Sequence, residues 1–525
     1  MKNISLKKIG NKISINIFIV LLLTINILSP HIYGKTEPTE NLQDLNELQY
    51  IKSIINESLL DLQFIYNITE NLSKIIFTEY NESAGEIAKG REFGTKGEHK
   101  AAEILYENMT KLGLYTTKEK IENIPNVPGC SKLTHKIEIL DYKLIITNET
   151  SNYSETVDCS PSFTICGPRG KPFKNDYNFS YTGLKVRREH PSLLENKEDY
   201  VLIYNASYPA KVNGSDDITC GGLKFYIGSL KKILNSLKDY LLRPHFKGYL
   251  CYDFNNDTHD MVYPTLTLAG GFTHLFFING SIGRMINSSV EDFTVNFYIN
   301  QSYNDSVISY NVIGQLNGTD PSKTVIVDCL YDSWWTQGTA DAAIGMGIVM
   351  GIAKYFTDHN IKPKYNLKFI GFCGEEYDML GAYYYEATHR DENIIYVIDL
   401  NQVGFKQEKP RLKLEIVTNT KPFLDEIRKV VERTDYVNRT GNTTDLKLAY
   451  QRIGHISDDR VFAIKRPFSC KTVCFLKGEE WLLHHRDGLN HNEGDTIQYF
   501  DWNDVSATGE MVWNVTEYLA VNNIN

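Results

Sequence analysis

Residues 324–381 constrain the fold of this sequence more than any other stretch. They open with a short apolar, β-branched run at 325–330, the pattern of a buried strand. Asp341 then begins a segment of Ala, Gly, Ile, Met and Val that is helix-like in length and ends near Tyr355 and Phe356. A second buried-strand run, 367–372, delivers the acidic pair Glu375 and Glu376 to its C-terminal end. Strands alternating with helices imply a mostly parallel sheet, and such sheets carry their sites just beyond the carboxyl ends of the strands. Asp332, Asp341, Glu375 and Glu376 all fall at such ends. Four carboxylates converging on one crevice repel each other unless a cation holds them, so a metal site is the simplest physical expectation.

Three motifs in this region resemble those of the zinc-dependent aminopeptidase and glutamate-carboxypeptidase family of co-catalytic metallopeptidases. That family has His-x-Asp after one strand, Gly-Ala-x-Asp-Asn-x-x-Gly at the next helix, and Glu-Glu-x-Gly-Leu-x-Gly-Ser after the following strand. Here the second element reads Gly338-Thr339-Ala340-Asp341-Ala342-Ala343-Ile344-Gly345, and the third Glu375-Glu376-Tyr377-Asp378-Met379-Leu380-Gly381-Ala382. The first departs from the pattern, because Leu330-Tyr331-Asp332 has Leu where the family has its ligand His.

The resemblance implies a role for each matching position. Asp341 corresponds to the carboxylate that bridges two metals, Glu375 to the general base, and Glu376 to a ligand of one metal. That metal's other ligand corresponds to His491, in His491-Asn492-Glu493-Gly494-Asp495-Thr496; His484 and His485 compete for the part. The second metal's later Asp falls in a strand-end motif that reads Ile398-Asp399-Leu400-Asn401-Gln402-Val403-Gly404, which puts Asn401 at the ligand position. Both losses, Leu330 and Asn401, belong to the same metal. The expectation is therefore one zinc per chain, on Asp341, Glu376 and His491: three protein ligands and an open position, the count that a catalytic zinc needs. Asp399 and Cys329 are the two candidate substitutes. Asp399 shares the face of Asn401 but lies about 6–7 Å along the strand, and Cys329 faces away from Leu330 by strand alternation. Each position also has a plainer reading: Asp341 as a helix cap, the Glu pair as a solvated first turn, and His491 as a surface residue.

At 525 residues and 42% hydrophobic, the chain can bury a large core and divide into more than one domain. Its net charge of −10, with no basic run interleaved with aromatics, argues against nucleic-acid binding. Residues 1–34 have a lysine-rich start and an apolar stretch, as in a secretory signal or an uncleaved N-terminal anchor, and no later segment is apolar enough to span a bilayer. Asn-x-Ser/Thr triplets at Asn56, Asn67, Asn71, Asn178, Asn205, Asn213, Asn300, Asn304 and Asn514 favour an exported, glycosylated protein. Nine cysteines leave at least one without an intrachain partner. Export permits disulfides among Cys130, Cys159, Cys166, Cys220 and Cys251, and a short bridge between Cys470 and Cys474; Cys329 and Cys373 read as small core residues.

The resemblance implies that residues 35–125 form the N-terminal part of the peptidase-like domain. They hold a helical pattern at 45–78 and Arg91-Glu92-Phe93-Gly94-Thr95-Lys96-Gly97-Glu98, which resembles the family's opening motif before its first helix. Residues 126–309 change character, with short β-like runs and dense turns. They resemble the protease-associated domain that many family members carry as an insert, with a helix expected over 228–242. Residues 310–525 return to the family pattern. The expected fold is α/β: a mixed, mostly parallel sheet flanked by helices, with an inserted mostly β domain. The expected function is a secreted metal-dependent exopeptidase acting on peptides or proteins. The alternatives are a catalytically inactive pseudo-peptidase serving as an extracellular binding domain, and a single-zinc enzyme similar to glutaminyl-peptide cyclases.

Overall fold

The computed structural model describes residues 41–75, 78–81, 85–88, 90–127, 129–157, 159–163, 177–189, 191–192, 197–205, 245–252, 274–333, 336–406, 413–434, 436–440, 446–455, 457–477 and 495–521. The signal, the helix expected over 228–242, and all three of His484, His485 and His491 lie outside them. The chain divides into two units, Met1–Ser53 and Ile54–Asn525. The first contributes most of helix α1 (Asn41–Glu57), and the rest of this description concerns the second.

Helix α2 (Leu62–Ser73) starts at Asp61, whose carboxylate accepts the Phe64 N–H at 3.0 Å. A two-stranded ribbon follows, β1 (Thr78–Asn81) and β2 (Gly85–Ala88). Helix α3 (Lys96–Lys111) is capped by Thr95, whose Oγ1 accepts the Glu98 N–H, while the Glu98 carboxylate accepts the N–H of Gly94, the residue before the cap, at 2.7 Å. Strand β3 (Tyr115–Lys120) then forms one edge of the main sheet.

Between β3 and the motif region lies a second sheet of eight strands. These are β4 (Lys136–Asn148), β5 (Tyr153–Val157), β6 (Cys159–Phe163), β7 (Tyr177–Arg187), β8 (Tyr200–Asn205), β9 (Phe246–Tyr252), β10 (His274–Ile278) and β11 (Thr294–Asn304), in the spatial order β5-β4-β11-β7-β8-β9-β10-β6. Helix α4 (Gly280–Ser288) packs on β8 and β9. Leu144, Ile146, Leu250, Phe276, Val295 and Phe297 build a core separate from that of the main sheet. The mostly β character expected for this segment is present.

The main sheet adds β12 (Tyr310–Leu316), β13 (Asp320–Leu330), β14 (Tyr365–Phe372), β15 (Ile394–Leu400), β16 (Leu414–Thr418), β17 (Lys447–Tyr450) and β18 (Lys471–Lys477). Its order is β17-β16-β18-β15-β13-β14-β12-β3. The four central strands β18, β15, β13 and β14 are parallel, and antiparallel strands flank them. Helices α5 (Ile344–Asp358), α6 (Leu380–Thr388), α7 (Lys421–Val431), α8 (Tyr436–Thr440), α9 (Asp459–Lys465) and α10 (Trp502–Ala520) flank it. Every residue from Val325 to Leu330 is buried, as a strand covered on both faces requires.

Helix α5 is apolar all round because it is enclosed: residues 344–353 are all buried. A Cβ at Gly345 would stand 2.8 Å from Cys329 Sγ on β13, and one at Gly347 would stand 2.6 Å from Thr69 Oγ1 on α2. The helix is thus wedged between sheet and α2 by glycines that permit the approach. Its start corrects one expectation. Asp341 does not open the helix; it lies in a preceding wide turn, Thr339–Ala343, with non-helical backbone angles (φ −119°, ψ 84°) and a cis bond to Ala342. The helix proper begins at Ile344, and its first turn receives no side-chain cap.

Free thiols at Cys470 and Cys474 overturn the expected short bridge, since an extended strand carries residues four apart well beyond disulfide reach. Cys251 is also a buried free thiol and Cys130 is buried with its Sγ facing Tyr383 O, while Cys166, Cys220 and the side chain of Cys159 fall outside the described residues. Cys329 and Cys373 are buried in the core, as expected.

Candidate metal centre

The carboxyl ends of β13 and β14 bring the sequence-predicted acids together. Asp332, two residues past β13, is fully buried, and its two carboxylate oxygens accept the backbone N–H groups of Glu375 (3.1 Å) and Glu376 (3.3 Å). The turn carrying that pair closes on itself through Leu380 N–H to Gly374 O and Gly381 N–H to Cys373 O. Asp332 therefore fixes the backbone from which both glutamates project.

Like charges dominate the electrostatics. Burial, and then Glu376, push the Asp332 carboxyl up to about 8 against the hydrogen bonds it accepts. Glu375 is held well above the ordinary glutamate range by burial first, then by Glu376, Asp458, Asp341 and Asp332. Four carboxylates thus act on Glu375.

Two residues outside the acid set hold the loop of Asp341 in place. Arg91 is fully buried, and its guanidinium donates to the carbonyls of Tyr331 (2.8 Å), Leu72 (3.1 Å), Gln337 and Gly338 (2.9 Å). Burial lowers its affinity for the proton to about 10, countered by Asp495, Asp332 and Asp341. Gly338 adopts φ +52°, and a Cβ there would meet Ser333 Cβ at 2.4 Å and Asp341 O at 2.7 Å, so only glycine fits. From the far end of the chain, Asp495 accepts the N–H groups of Ala340 (2.6 Å) and Asp341 (3.1 Å). Burial raises Asp495 to about 7, offset by those bonds and by Arg91. In sequence, Arg91 read only as part of an opening motif and Asp495 only as a neighbour of His491, because a contact across hundreds of residues leaves no local pattern.

The two departures from the family pattern are structural residues. Leu330 is fully buried at the end of β13. Asn401 uses both ends of its amide, donating Nδ2–H to Ser457 Oγ (3.2 Å) and accepting its neighbour Gln402's N–H (2.7 Å). Cys329 turns to the α5 side, where Sγ faces Ala342 O at 3.5 Å, as strand alternation requires.

A zinc ion is what the family resemblance implies, and the donors present suit a cation: Asp341 is 4% exposed, and it and Glu376 are among the acids acting on Glu375. Their expected third partner, His491, lies outside the described residues. Among the described residues, the groups of three ligand atoms lying within 4.8 Å of one another are Asp328–Asp399–Asp458 and Asp399–Asp459–Cys474.

A family model described as Peptidase family M28 matches residues 311–516. That match takes in the motif-bearing part of the main sheet and is less than half of the chain. No curated protein sequence matches the chain. Among solved structures, a zinc aminopeptidase from Bacillus subtilis superimposes with TM-score 0.56 at 16% identity, covering 88% of this chain and 96% of its own. An aminopeptidase from Aneurinibacillus sp. strain AM-1 gives TM-score 0.52 at 15% identity, with coverages of 90% and 97%. A peptidase M28 precursor from Shewanella amazonensis SB2B gives 0.59 at 13% identity, with coverages of 92% and 98%. At these identities the neighbours establish a shared fold, and the likeness to the family rests on residues 311–516. The α/β fold read from the sequence is the one found.

Proposed function

We propose that this chain is an exported, metal-dependent exopeptidase of the aminopeptidase type, acting on peptides through one metal position. Asp341, Glu376 and His491 would hold the ion, with zinc as the expected metal. Asp495, four residues after His491, is bonded to the backbone of Asp341, which supports bringing that segment to the site. When bound, zinc supplies Lewis acidity and a more acidic water. The residues of the chain do the rest. Glu375 accepts the proton of the attacking water and returns it to the leaving amine. Asp332 keeps the Glu375 backbone in register, and Arg91 with Asp495 keeps Asp341 in register.

The observation that carries this reading is Glu375 itself. It is an acid pushed far above its ordinary range at a strand end, a position with no structural need for a carboxylate. A Glu375→Gln substitution should cut hydrolysis of a peptide with a free amino terminus by about 10²–10⁴-fold while leaving metal content unchanged. Unaltered turnover in that variant would refute the assignment.

One observation favours the second reading, a binding ectodomain that keeps the fold without the activity. Asn401 spends its amide on Ser457 and Gln402, so the second metal of the family has no ligand there.

A further inference from the structure

Below the site just described, three neighbouring strands place acids and a thiol in one cross-strand row. In the parallel register Asp328 on β13 lies beside Asp399 on β15, and Asp399 beside Cys474 on β18. All three are fully buried. The middle of a parallel sheet is normally apolar on both faces, so charged groups there need a reason.

A separate element supplies the second observation. The residues leading into α9 bring Asp458 onto this row with 0% of it exposed, and neither of its carboxylate oxygens receives a hydrogen bond among the described residues. The two oxygens of Asp328 receive none by the same geometry, though Asp328 and Asp399 stand close enough to share a proton, and Ser457, Cys474 and the Asp459 N–H approach Asp399. One oxygen each from Asp328, Asp399 and Asp458 lies within 4.8 Å of the other two. Three points so spaced lie within about 2.8 Å of a common centre, close to the 2.0–2.6 Å of metal–oxygen bonds. The main charges acting on Asp328 and Asp458 are other aspartates, with no lysine or arginine prominent among them.

Asp459 makes the contrast. Its carboxylate accepts the His455 N–H (3.1 and 3.2 Å) and the Thr472 hydroxyl (3.1 Å), so it already closes the turn at Gly454. The group formed by Asp399, Asp459 and Cys474 is thus partly committed, and the group containing Asp458 is not.

The register gives the row its meaning. Asp328 precedes Leu330 by two residues, and Asp399 precedes Asn401 by two. Side chains two apart share a strand face, so the aspartates stand one repeat, about 6–7 Å, deeper than the two positions where the family-like ligands are missing.

We propose that Asp328, Asp399 and Asp458 hold a divalent cation, a second metal position displaced one strand repeat into the sheet. Three carboxylates without imidazole suit an oxygen-preferring ion such as Mn²⁺, Mg²⁺ or Ca²⁺. Enclosed as it is, this site has no opening for substrate. The ion would tie β13, β15 and the start of α9 together, and would offset Asp458, one of the charges acting on Glu375. This inference does not depend on Asp341, Glu376 and His491 binding metal.

The test uses the full chain stripped of metal and titrated with Mn²⁺, reading bound ion by electron paramagnetic resonance and the metal-induced shift in Tm. Asp328→Asn and Asp458→Asn keep the side-chain volume and remove the charge, and Asp341→Ala is the control. Either Asn variant should lose one ion relative to wild type, or bind it at least about 100-fold more weakly, and lose the corresponding Tm rise. Asp341→Ala should keep that ion. Equal Mn²⁺ binding in wild type and both Asn variants would overturn the proposal, as would a wild type whose every ion disappears in Asp341→Ala. Should neither Asn variant fold, Asp341→Ala alone decides: one retained ion supports the site and none refutes it. Loss of the ion in the Asn variants with no change in Asp341→Ala would leave this proposal standing and count against the function proposed above.

Discussion

At the scale of single residues, the candidate site is held by groups that never touch a substrate. Arg91 serves four carbonyls from three segments, and a lysine ammonium lacks the planar fork that reaches them together. Arg91→Lys should therefore destabilise the fold by about 2–4 kcal/mol, read as a lower urea midpoint at unchanged m; a change within about 0.5 kcal/mol would contradict the clamp. His455 makes a pH prediction. It is buried, and burial, then Arg460 and Lys447, push its proton affinity down to about 4. Its folded pKa lies below the unfolded value, so between those two values the unfolded chain binds more protons, and stability falls as pH drops from about 6.5 to 4. The full effect is about 3 kcal/mol, and it should shrink in His455→Gln when the two proteins are compared across that window. Buried carboxylates with raised pKa run in the opposite sense, so the difference between the proteins is the informative quantity. Residue chemistry was legible in the sequence where it sat in a motif, as with Asp341, Glu375 and Glu376. It was hidden where partners come from distant segments, as with Arg91, Asp495 and the row of Asp328 and Asp458.

At the scale of elements, buried strands were readable because residues 325–330 and 367–372 are mostly apolar without alternation, broken by Asp328 and Lys368, as suits a strand covered on both faces. Residues 310–316 were read only as the point where the family pattern resumes, and they form β12. The start of α5 was not readable, since Ala and Gly after Asp341 suit a helix as well as a wide turn. What forces the turn is tertiary: Asp495 bonding to Ala340 and Asp341, and Arg91 bonding to Gly338. The contact of α5 with α2 gives a prediction at this scale. In Gly347→Ala the new Cβ would lie 2.6 Å from Thr69 Oγ1 and 3.0 Å from Ile65 O. A gain of about 1 kcal/mol in helix propensity is outweighed by about 1–3 kcal/mol of overpacking. A net loss of stability is expected in chemical denaturation, and a net gain would show that the helices can separate at little cost.

At the scale of the whole molecule, the second sheet is joined to the main one through buried polar groups. Lys136, the first residue of β4, pairs with Glu92 at 3.0 Å and donates to Phe93 O at 2.9 Å, and Tyr377 beside the glutamate pair donates to Glu92 at 2.5 Å. Lys136→Met removes the opposite charge from a buried carboxylate and should cost about 3–5 kcal/mol, most of it recovered in the double variant Glu92→Gln/Lys136→Met. Thermal melts of the three proteins check this, and additive losses would contradict the pairing. The same network links the second sheet to the turn that carries Glu375. Whether that site cleaves peptides is the central claim. The most direct measurement is release of the amino-terminal residue from a short peptide by zinc-supplied full-length protein, beside Glu375→Gln prepared in the same way. The account predicts turnover by the wild type, reduced by about 10²–10⁴-fold in the variant. Equal background rates for the two, with both folded and metal-loaded, would contradict it and leave a binding domain with a peptidase fold.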